Sequence, residues 1–143
     1  MSFLLDTTVV SEWVKLRPNR GVVRWLADAD EDRLFLSVVT LAELRYGIER
    51  MAAGARRKRL DAWLCNELPL RFDGRVLSID RAVADAWGSV VARSEAAGRP
   101  IGAMDAFLAA TAQAHGITLV TRNTSDFEAS LGASINPWAP DES

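Results

Sequence analysis

Short apolar runs alternate along the chain with longer segments in which apolar residues recur every three or four positions. The runs at 3–5, 34–37, 76–79 and 117–121 are short and continuous, as in strands buried on both faces. The longer segments predict amphipathic helices at 9–16, 19–28, 40–51, 55–68, 81–97 and 103–115. A weak last strand is predicted at 134–136. Because strands alternate with helices, the pattern predicts an α/β fold with a mainly parallel central sheet and helices on both faces.

Helix-breaking and helix-capping residues separate these elements. Pro18 stops the first helix and Gly54 the third, while Asp80 and Gly98 bound the fifth. The chain has 143 residues, 49% of them hydrophobic, which is enough for one sizeable core. It contains no repeat, low-complexity tract or linker-like segment. We therefore predict a single domain over residues 1–143.

Four acidic residues lie at matching places in this pattern. Asp6 ends the first strand, and Asp126 follows the strand that ends at Thr121. Glu43 opens the helix after the second strand, and Asp105 opens the helix before the fourth strand of the sheet. In an open α/β sheet the functional site forms outside the carboxyl ends of the strands. The four acids are therefore expected to converge at one edge of the sheet.

Each acid also has a purely structural explanation. Asp6 and Asp126 are suited to cap helices, the segment 40–43 matches a capping box with Glu43 at its third position, and Asp105 suits a first helical turn. Capping does not explain why Asp6 and Asp105 stand among residues that favour burial. Buried carboxylates that share a site repel one another unless a cation neutralises them. A divalent cation held by oxygen atoms, Mg²⁺ or Mn²⁺, is the expected solution.

The charged residues and the counts of histidine and cysteine limit how the protein can bind nucleic acid or metal. The net charge is −2, so contact with nucleic acid has to be local or mediated by metal. The run 56–59 is the densest basic segment, and it is interpreted either as a solvated helix face or as a contact for an RNA backbone. Arg45 and Arg122 stand near the acidic segments and are candidates to steer phosphate. With one histidine and one cysteine, a conventional zinc site is excluded.

The single cysteine, the apolar runs and the tryptophans predict the cellular compartment and the packing of the core. Cys65 is the only cysteine, so an internal disulfide is excluded and a reducing compartment is expected. No signal peptide or membrane span is recognisable, which predicts a cytoplasmic protein without membrane contact. Cys65 is expected to be a packed small residue. Core packing is also expected for the tryptophans at helical core positions, which are Trp13, Trp25, Trp63 and Trp87.

Four segments carry a resemblance to a known family. LLDTTVVSE at 4–12, LSVVTLAELRYG at 36–47, AMDAFLAATA at 103–112 and LVTRNTSDF at 119–127 resemble the four acidic blocks of PIN-domain nucleases. Within that family the chain resembles the toxins of VapBC-type toxin–antitoxin pairs, and INPW at 135–138 is similar to the FitB-like branch. The resemblance spans nearly the whole chain with the blocks in order. It implies a PIN-like three-layer sandwich.

The resemblance also implies an activity and a set of site residues. It implies an Mg²⁺-dependent endoribonuclease, with Mn²⁺ as the alternative metal, that hydrolyses RNA phosphodiester bonds with a metal-activated water. The implied catalytic and metal-binding acids are Asp6, Glu43 and Asp105, with Asp126 as the fourth. Asn123 competes with Asp126 for the fourth place. Thr8, where many relatives have Asn or Ser, and Thr121 are secondary candidates that offer hydroxyl groups near the acids.

The implied partners follow from the same family. They are an RNA substrate, a cognate VapB-like antitoxin and a second copy of the chain in a homodimer, with DNA contacted only through the antitoxin. An antitoxin side chain, often arginine, is expected to enter the acidic pocket. One rival hypothesis is a non-nuclease subunit of an autoregulatory DNA-binding complex. Another is phosphoryl transfer through an aspartyl nucleophile at Asp6, but that chemistry usually has a second acid where this chain has Thr8.

Overall fold

The computed structural model describes residues 1–140, and within them four short parallel strands form one sheet. The strand order is β3-β2-β1-β4. The strands are β1 (Phe3–Leu5), β2 (Leu34–Ser37), β3 (Val76–Leu77) and β4 (Thr118–Val120). The parallel sheet and the flanking helices confirm the predicted α/β fold. The predicted last strand is wrong, because 134–136 contributes only an isolated bridge between Val120 and Ile135.

Helices connect and cover the strands. They are α1 (Thr7–Glu12), α2 (Arg20–Asp28), α3 (Val38–Glu49), α4 (Ala55–Ala62), α5 (Leu68–Arg71), α6 (Arg81–Ala96), α7 (Ala103–His115) and α8 (Thr124–Leu131). A 3₁₀ turn, Glu31–Arg33, precedes β2, and a π turn, Trp63–Glu67, joins α4 to α5. Helix α1 ends at Glu12, four residues before its predicted end. Helix α8 was predicted only as a short helix that Asp126 could cap, since its sequence lacks a long amphipathic repeat; in the structure Asp126 lies inside its first turn.

The sheet separates two hydrophobic clusters, one on each face. Neighbouring residues of a strand point to opposite faces, so Leu4 and Leu119 pack with the apolar sides of α6, α7 and α8. Leu5 and Val120 pack on the other face with residues of α1, α2, α3 and the α4–α5 segment. All four side chains are at most 1% exposed. The central strands are therefore buried on both faces, as their continuous apolar sequences predicted.

The start of α3 differs from the predicted capping box. Ser37, the last residue of β2, caps the helix, and its hydroxyl oxygen accepts a hydrogen bond from the Val39 backbone N–H at 3.0 Å. Thr40 is fully buried within the first turn. The capping-box interpretation of 40–43 is therefore wrong, because strand β2 runs directly into the helix. This shift places Glu43 in the second turn of α3.

Side-chain burial confirms one packing prediction and contradicts another. Trp13, Trp25 and Trp63 pack partly buried against the cluster that contains Leu5, and Trp87 packs against the opposite cluster. Cys65 is exposed, so the prediction that it packs in the core is wrong. It lies on the π turn, where the helix register shifts. No helix among residues 1–140 has the length and apolar character needed to span a membrane.

The C-terminal segment is attached to the start of α2. The Asn19 side chain accepts from the Ala139 N–H at 2.9 Å and donates to the Ala139 carbonyl oxygen at 3.2 Å. A Cβ atom on Gly21 would stand only 2.4 Å from the carbonyl oxygen of Pro137, so the close approach requires glycine here. The contact holds the chain after β4 against the helical layer that contains α2.

Candidate functional site

The order of the strands creates a crevice between β1 and β4. From β1 the chain adds β2 and then β3 on one side, and it returns to place β4 on the other side. A ligand site of an open α/β sheet lies at such a switch point, outside the carboxyl ends of the strands. Leu5 pairs with Val120 in register, so Asp6 and Thr121 emerge side by side. The Thr121 hydroxyl donates to Oδ2 of Asp6 at 2.8 Å.

Asp6 is buried and closely held. It is 6% exposed and caps α1, with Oδ1 accepting from the Thr7 backbone N–H at 2.7 Å. The Thr8 hydroxyl donates to Oδ2 at 2.8 Å, as Thr121 does. A carboxylate offers about four acceptor positions, so these three bonds leave one on Oδ1. The predicted hydroxyl contacts of Thr8 and Thr121 with an acid are confirmed, and they fix the direction in which Asp6 can bind a further group.

Glu43 is positioned by a pair of threonine hydroxyls. The Thr7 hydroxyl donates to Oε1 of Glu43 at 2.6 Å, and the hydroxyl oxygens of Thr7 and Thr40 are 3.2 Å apart. A hydroxyl has one hydrogen, so with the Thr7 hydrogen on Glu43 the Thr40 hydroxyl donates to Thr7. The chain of hydroxyls links the start of α1 to α3. It therefore holds Glu43 beside the residue that follows Asp6.

Asp105 is close enough to the other three acids for their negative charges to act on it. It is half-buried in the first turn of α7. Burial, followed by the negative charges of Asp6, Glu43 and Asp126, raises the pKa of the Asp105 carboxyl to about 6. The N-terminus of a helix favours the charged form, and here that effect is outweighed. The structure thus brings the four predicted acids close enough for mutual repulsion at one edge of the sheet.

The two candidates for the fourth site residue, Asp126 and Asn123, have different contacts. Asp126 lies in the first turn of α8, and its charge acts on Asp105. Asn123 stands at the N-cap of α8 without a side-chain capping bond, and its backbone N–H donates to the Thr121 hydroxyl oxygen at 3.1 Å. Asn123 therefore supports Thr121 through its backbone, whereas Asp126 contributes charge to the cluster.

The donor set suits a cation that retains water. Among residues 1–140, no three His, Cys, Asp or Glu side chains form a ready-made chelating group. Mg²⁺ is commonly held by one or two carboxylates, with water and phosphate oxygens completing its shell. The free acceptor position on Oδ1 of Asp6 and the raised pKa of Asp105 fit that mode of binding. They do not fit an ion that requires a closed protein cage.

The two arginines considered for phosphate steering have other contacts. Arg45 donates to Asp61 at 2.6 Å, and this hydrogen bond is the main reason that the pKa of Arg45 is raised. It also pairs with Glu49, so it lies on the outer side of α3 within an exposed ion-pair group. The Arg122 guanidinium stands 5.5 Å from the centre of the Trp138 ring. Within residues 1–140, neither arginine is hydrogen-bonded to or ion-paired with any of the four site acids.

Thr7 and Thr40 are site residues that the sequence predictions missed. Thr40 was assigned to the capping box, and Thr7 was treated only as part of the connection to the first helix. Their pattern did carry a signal, because each is a hydroxyl residue one to three positions from a predicted site acid. The contact between them joins positions 33 residues apart in sequence. Only the packing of α1 against α3 reveals it.

These features define an α/β protein with an acidic centre at the switch point of a parallel sheet. The PIN domain family model matches residues 3–129. The chain therefore belongs to the PIN domain family, as its four acidic blocks predicted.

Individual relatives match over nearly their full lengths. The chain is 41% identical over 137 residues to VapC ribonuclease Y4jK of Sinorhizobium fredii, an alignment that covers 96% of this chain and 98% of that protein. It is 37% identical over 135 residues to Toxin FitB of Neisseria gonorrhoeae, with coverage of 94% and 97%. The crystal structure of FitAcB from Neisseria gonorrhoeae superposes with a TM-score of 0.90 at 37% identity, covering 95% of this chain and 98% of that chain. The predicted similarity to the FitB-like branch is confirmed.

Proposed function

We propose that this protein is the Mg²⁺-dependent endoribonuclease toxin of a type II toxin–antitoxin pair. The observation that carries the proposal is the meeting of four carboxylates at the switch point, where burial and the charges of the other three acids raise the pKa of Asp105 to about 6. Such a site is costly to keep in its charged form unless a cation neutralises it, and a bound cation can then attract an anionic substrate. The names of the relatives, VapC ribonuclease and Toxin FitB, support the reaction and the biological role.

The acids have distinct parts in this proposal. Asp6 and Asp105 would hold the metal directly, with Glu43 and Asp126 completing the site or binding water in its shell. When bound, Mg²⁺ or Mn²⁺ supplies positive charge for a phosphodiester anion and acidifies a water molecule. Thr8 and Thr121 occupy Oδ2 of Asp6, so Oδ1, which accepts only from the Thr7 N–H among the described residues, would offer its free acceptor position to the metal. Glu43, held by Thr7, would orient the water that attacks phosphorus.

The proposed partners follow from the complexes in which similar proteins were solved. One matched structure is FitAB bound to an IR36 DNA fragment, at a TM-score of 0.90 and 34% identity. Another is DNA-bound VapBC from Salmonella typhimurium, at a TM-score of 0.77 and 29% identity. By analogy we propose a VapB-like antitoxin for this chain, DNA contact through that antitoxin, a homodimeric toxin and a cytoplasmic location. An antitoxin arginine in the acidic pocket would be stabilised by the same carboxylates.

A cleavage assay with metal control tests the proposed reaction. The purified protein should cut single-stranded RNA in Mg²⁺ or Mn²⁺ and lose that activity in EDTA, because the uncompensated acids repel the phosphate. Restoring the metal should restore cleavage. Absence of cleavage in both metals would favour the rival hypothesis, in which the chain is only a subunit of a DNA-binding complex. Cleavage that persists in EDTA would contradict the metal-dependent mechanism.

The Thr7 hydroxyl offers a test of how Glu43 is positioned. Thr7→Val keeps the shape of the side chain but removes the donor to Oε1 of Glu43. We expect a fall in kcat of about tenfold with little change in KM, as for other residues that orient a catalytic group. Thr7→Ser is the matched control, because it keeps the hydroxyl and should retain most activity. Equal kcat for the valine and serine variants would show that the hydrogen bond has no role.

A further inference from the structure

A cleft with arginine and tryptophan side chains lies beside the acidic site. It has a volume of about 710 Å³ between the end of α1 and the α4–α5 segment. We call it the Arg–Trp groove and define it by Trp13, Arg56, Arg59, Trp63 and Arg71. Glu67 is the acidic residue of its wall. Although the whole chain has a net charge of −2, this wall is therefore locally cationic.

The groove continues to the acidic centre. A second, smaller cleft of about 250 Å³ shares Arg56 and Trp63 with the Arg–Trp groove, and its wall reaches Thr7 and Glu43. Thr7 is hydrogen-bonded to Glu43 and follows Asp6 directly. The two clefts are therefore adjacent, and together they reach from the groove arginines to Thr7 and Glu43 at the acidic site.

Helix geometry divides the basic run at 56–59 into two faces. Arg56, Arg59 and Trp63 are three and four residues apart, so they share one side of α4 and its continuation. Arg57 is turned away, where it pairs with Glu49 at 3.0 Å. Lys58 lines a separate pocket. The two interpretations of the run thus apply to different residues, because only part of it faces the groove.

Two of the three groove arginines, Arg56 and Arg59, are available for a ligand. Within the described residues, Arg56 and Arg59 take part in no ion pair. The Arg71 guanidinium lies over the Trp13 ring, 4.1 Å from its centre, and its Nε is ion-paired with Glu31, so Arg71 helps to form the wall of the groove but its charge is partly neutralised. Guanidinium groups bind phosphates, and both indole rings and guanidinium planes stack on nucleic-acid bases. The combination is typical of surfaces that bind single-stranded nucleic acid.

We infer that the Arg–Trp groove binds the single-stranded RNA that flanks the phosphate to be cleaved. The inference rests on the proposed ribonuclease function and adds the path by which the substrate reaches the site. Arg56 and Arg59 contact backbone phosphates, and Trp63, at the junction of the two clefts, stacks on a base. This arrangement holds a polyanion beside a centre that by itself would repel it.

Salt-dependent RNA binding tests the inference independently of cleavage. Binding of a fluorescein-labelled single-stranded RNA of about twelve nucleotides, near the upper site size of such surfaces, is measured in EDTA at several salt concentrations. Each phosphate contact contributes about 0.7 to the slope of log affinity against log salt. Arg56→Ala and Arg59→Ala should each lower the slope by about that amount. Lys58→Ala removes the same charge from the same helix but should leave the slope unchanged.

The tryptophan should give a different signature. Trp63→Leu should weaken binding by about tenfold or more and leave the salt slope unchanged, because it removes stacking and no charge. The arginine variants should keep the thermal midpoint of the unmodified protein, since both side chains are exposed and unpaired among the described residues. They remain informative even if Trp63→Leu does not fold.

The outcomes separate this inference from the proposed function. Equal slopes for Arg56→Ala, Arg59→Ala and Lys58→Ala, or no RNA binding by the unmodified chain, would overturn the groove assignment even if cleavage is observed. Slopes that change as expected, without cleavage in Mg²⁺ or Mn²⁺, would retain the groove and reject the ribonuclease. If the variants lose affinity only for an acidic peptide and not for RNA, the groove binds a protein partner and the inference is wrong.

Discussion

Asp105→Asn is expected to reduce RNA cleavage by about a hundredfold or more while making the metal-free protein more stable. The Asp105 carboxylate interacts electrostatically with three other acids, so a cation bound among them should depend strongly on its charge. Changes to groups that only support metal ligands already cost about 10–100-fold, and loss of a ligand should cost at least the upper value. The asparagine side chain is nearly the same size, so the effect on cleavage should come from charge.

The expected gain in stability follows from the raised pKa. The folded protein holds a proton on Asp105 up to about pH 6, whereas the unfolded chain releases it near its ordinary value of 3.8. Between these two pH values the folded state binds more protons, so the stability of the metal-free protein falls as pH rises through this window. Above pH 6 the full cost of the charge is present. Asp105→Asn removes that cost.

The size of the gain is limited because Asp105 is only half-buried and partly screened by solvent. We expect about 1 kcal/mol, which corresponds to a rise in Tm of roughly 2–4 °C at pH 7.5 in EDTA. Thermal unfolding measured at pH 4 and at pH 7.5 would show the gain only at the higher pH. Asp85→Asn, an exposed carboxyl on α6, is the control and should change neither Tm nor cleavage. A lower Tm for Asp105→Asn would contradict the expectation.

Asp6→Ala is expected to lower both stability and activity. The substitution removes the acceptor of three hydrogen bonds, and it leaves the Thr7 N–H and the hydroxyls of Thr8 and Thr121 without that partner. It also removes the N-cap of α1. Loss of a helix cap together with unsatisfied groups in a buried site should cost about 2–4 kcal/mol of unfolding free energy. Urea unfolding at equilibrium measures this cost.

Asp6→Asn distinguishes the structural part of Asp6 from its charge. An amide oxygen can still accept from the Thr7 N–H, and the hydroxyls of Thr8 and Thr121 can rotate to accept from the amide nitrogen. Asp6→Asn should therefore retain most of the stability that Asp6→Ala loses, yet cleave RNA as poorly as Asp105→Asn. Normal cleavage by Asp6→Asn would remove Asp6 from the metal site and leave it with a structural role alone.

Several features of the fold were predictable because they depend on residues close together in sequence. The apolar runs that become β1, β2 and β4 contain few polar residues, and the positions of Asp6 and Asp105 relative to β1 and α7 followed from those runs. The order of parallel strands was not predictable in detail, since pairing joins segments far apart in the chain. Its switch point nevertheless lies where the general rule for α/β sheets placed the site.

Local sequence was misleading where two local structures competed. Thr40 and Glu43 match a capping box, but Ser37 caps α3 because β2 leads straight into it. Cys65 follows the apolar residues Trp63 and Leu64, but the π turn shifts the register of the helix and leaves the thiol exposed. In both cases the deciding factor was how neighbouring elements join, which a short motif does not contain.

The sequence by itself determined the α/β class, the family blocks and the identity of the four acids, because each is a property of local pattern and residue type. Only the tertiary structure decided how those acids act on one another. It placed Thr121 against Asp6 and Thr7 against Glu43, and it raised the pKa of Asp105 by burial and by three charges from distant segments. It also turned Arg56 and Arg59 towards the groove and Lys58 away from it. Hydrogen bonds and fields depend on distance in space, which chain order alone does not supply.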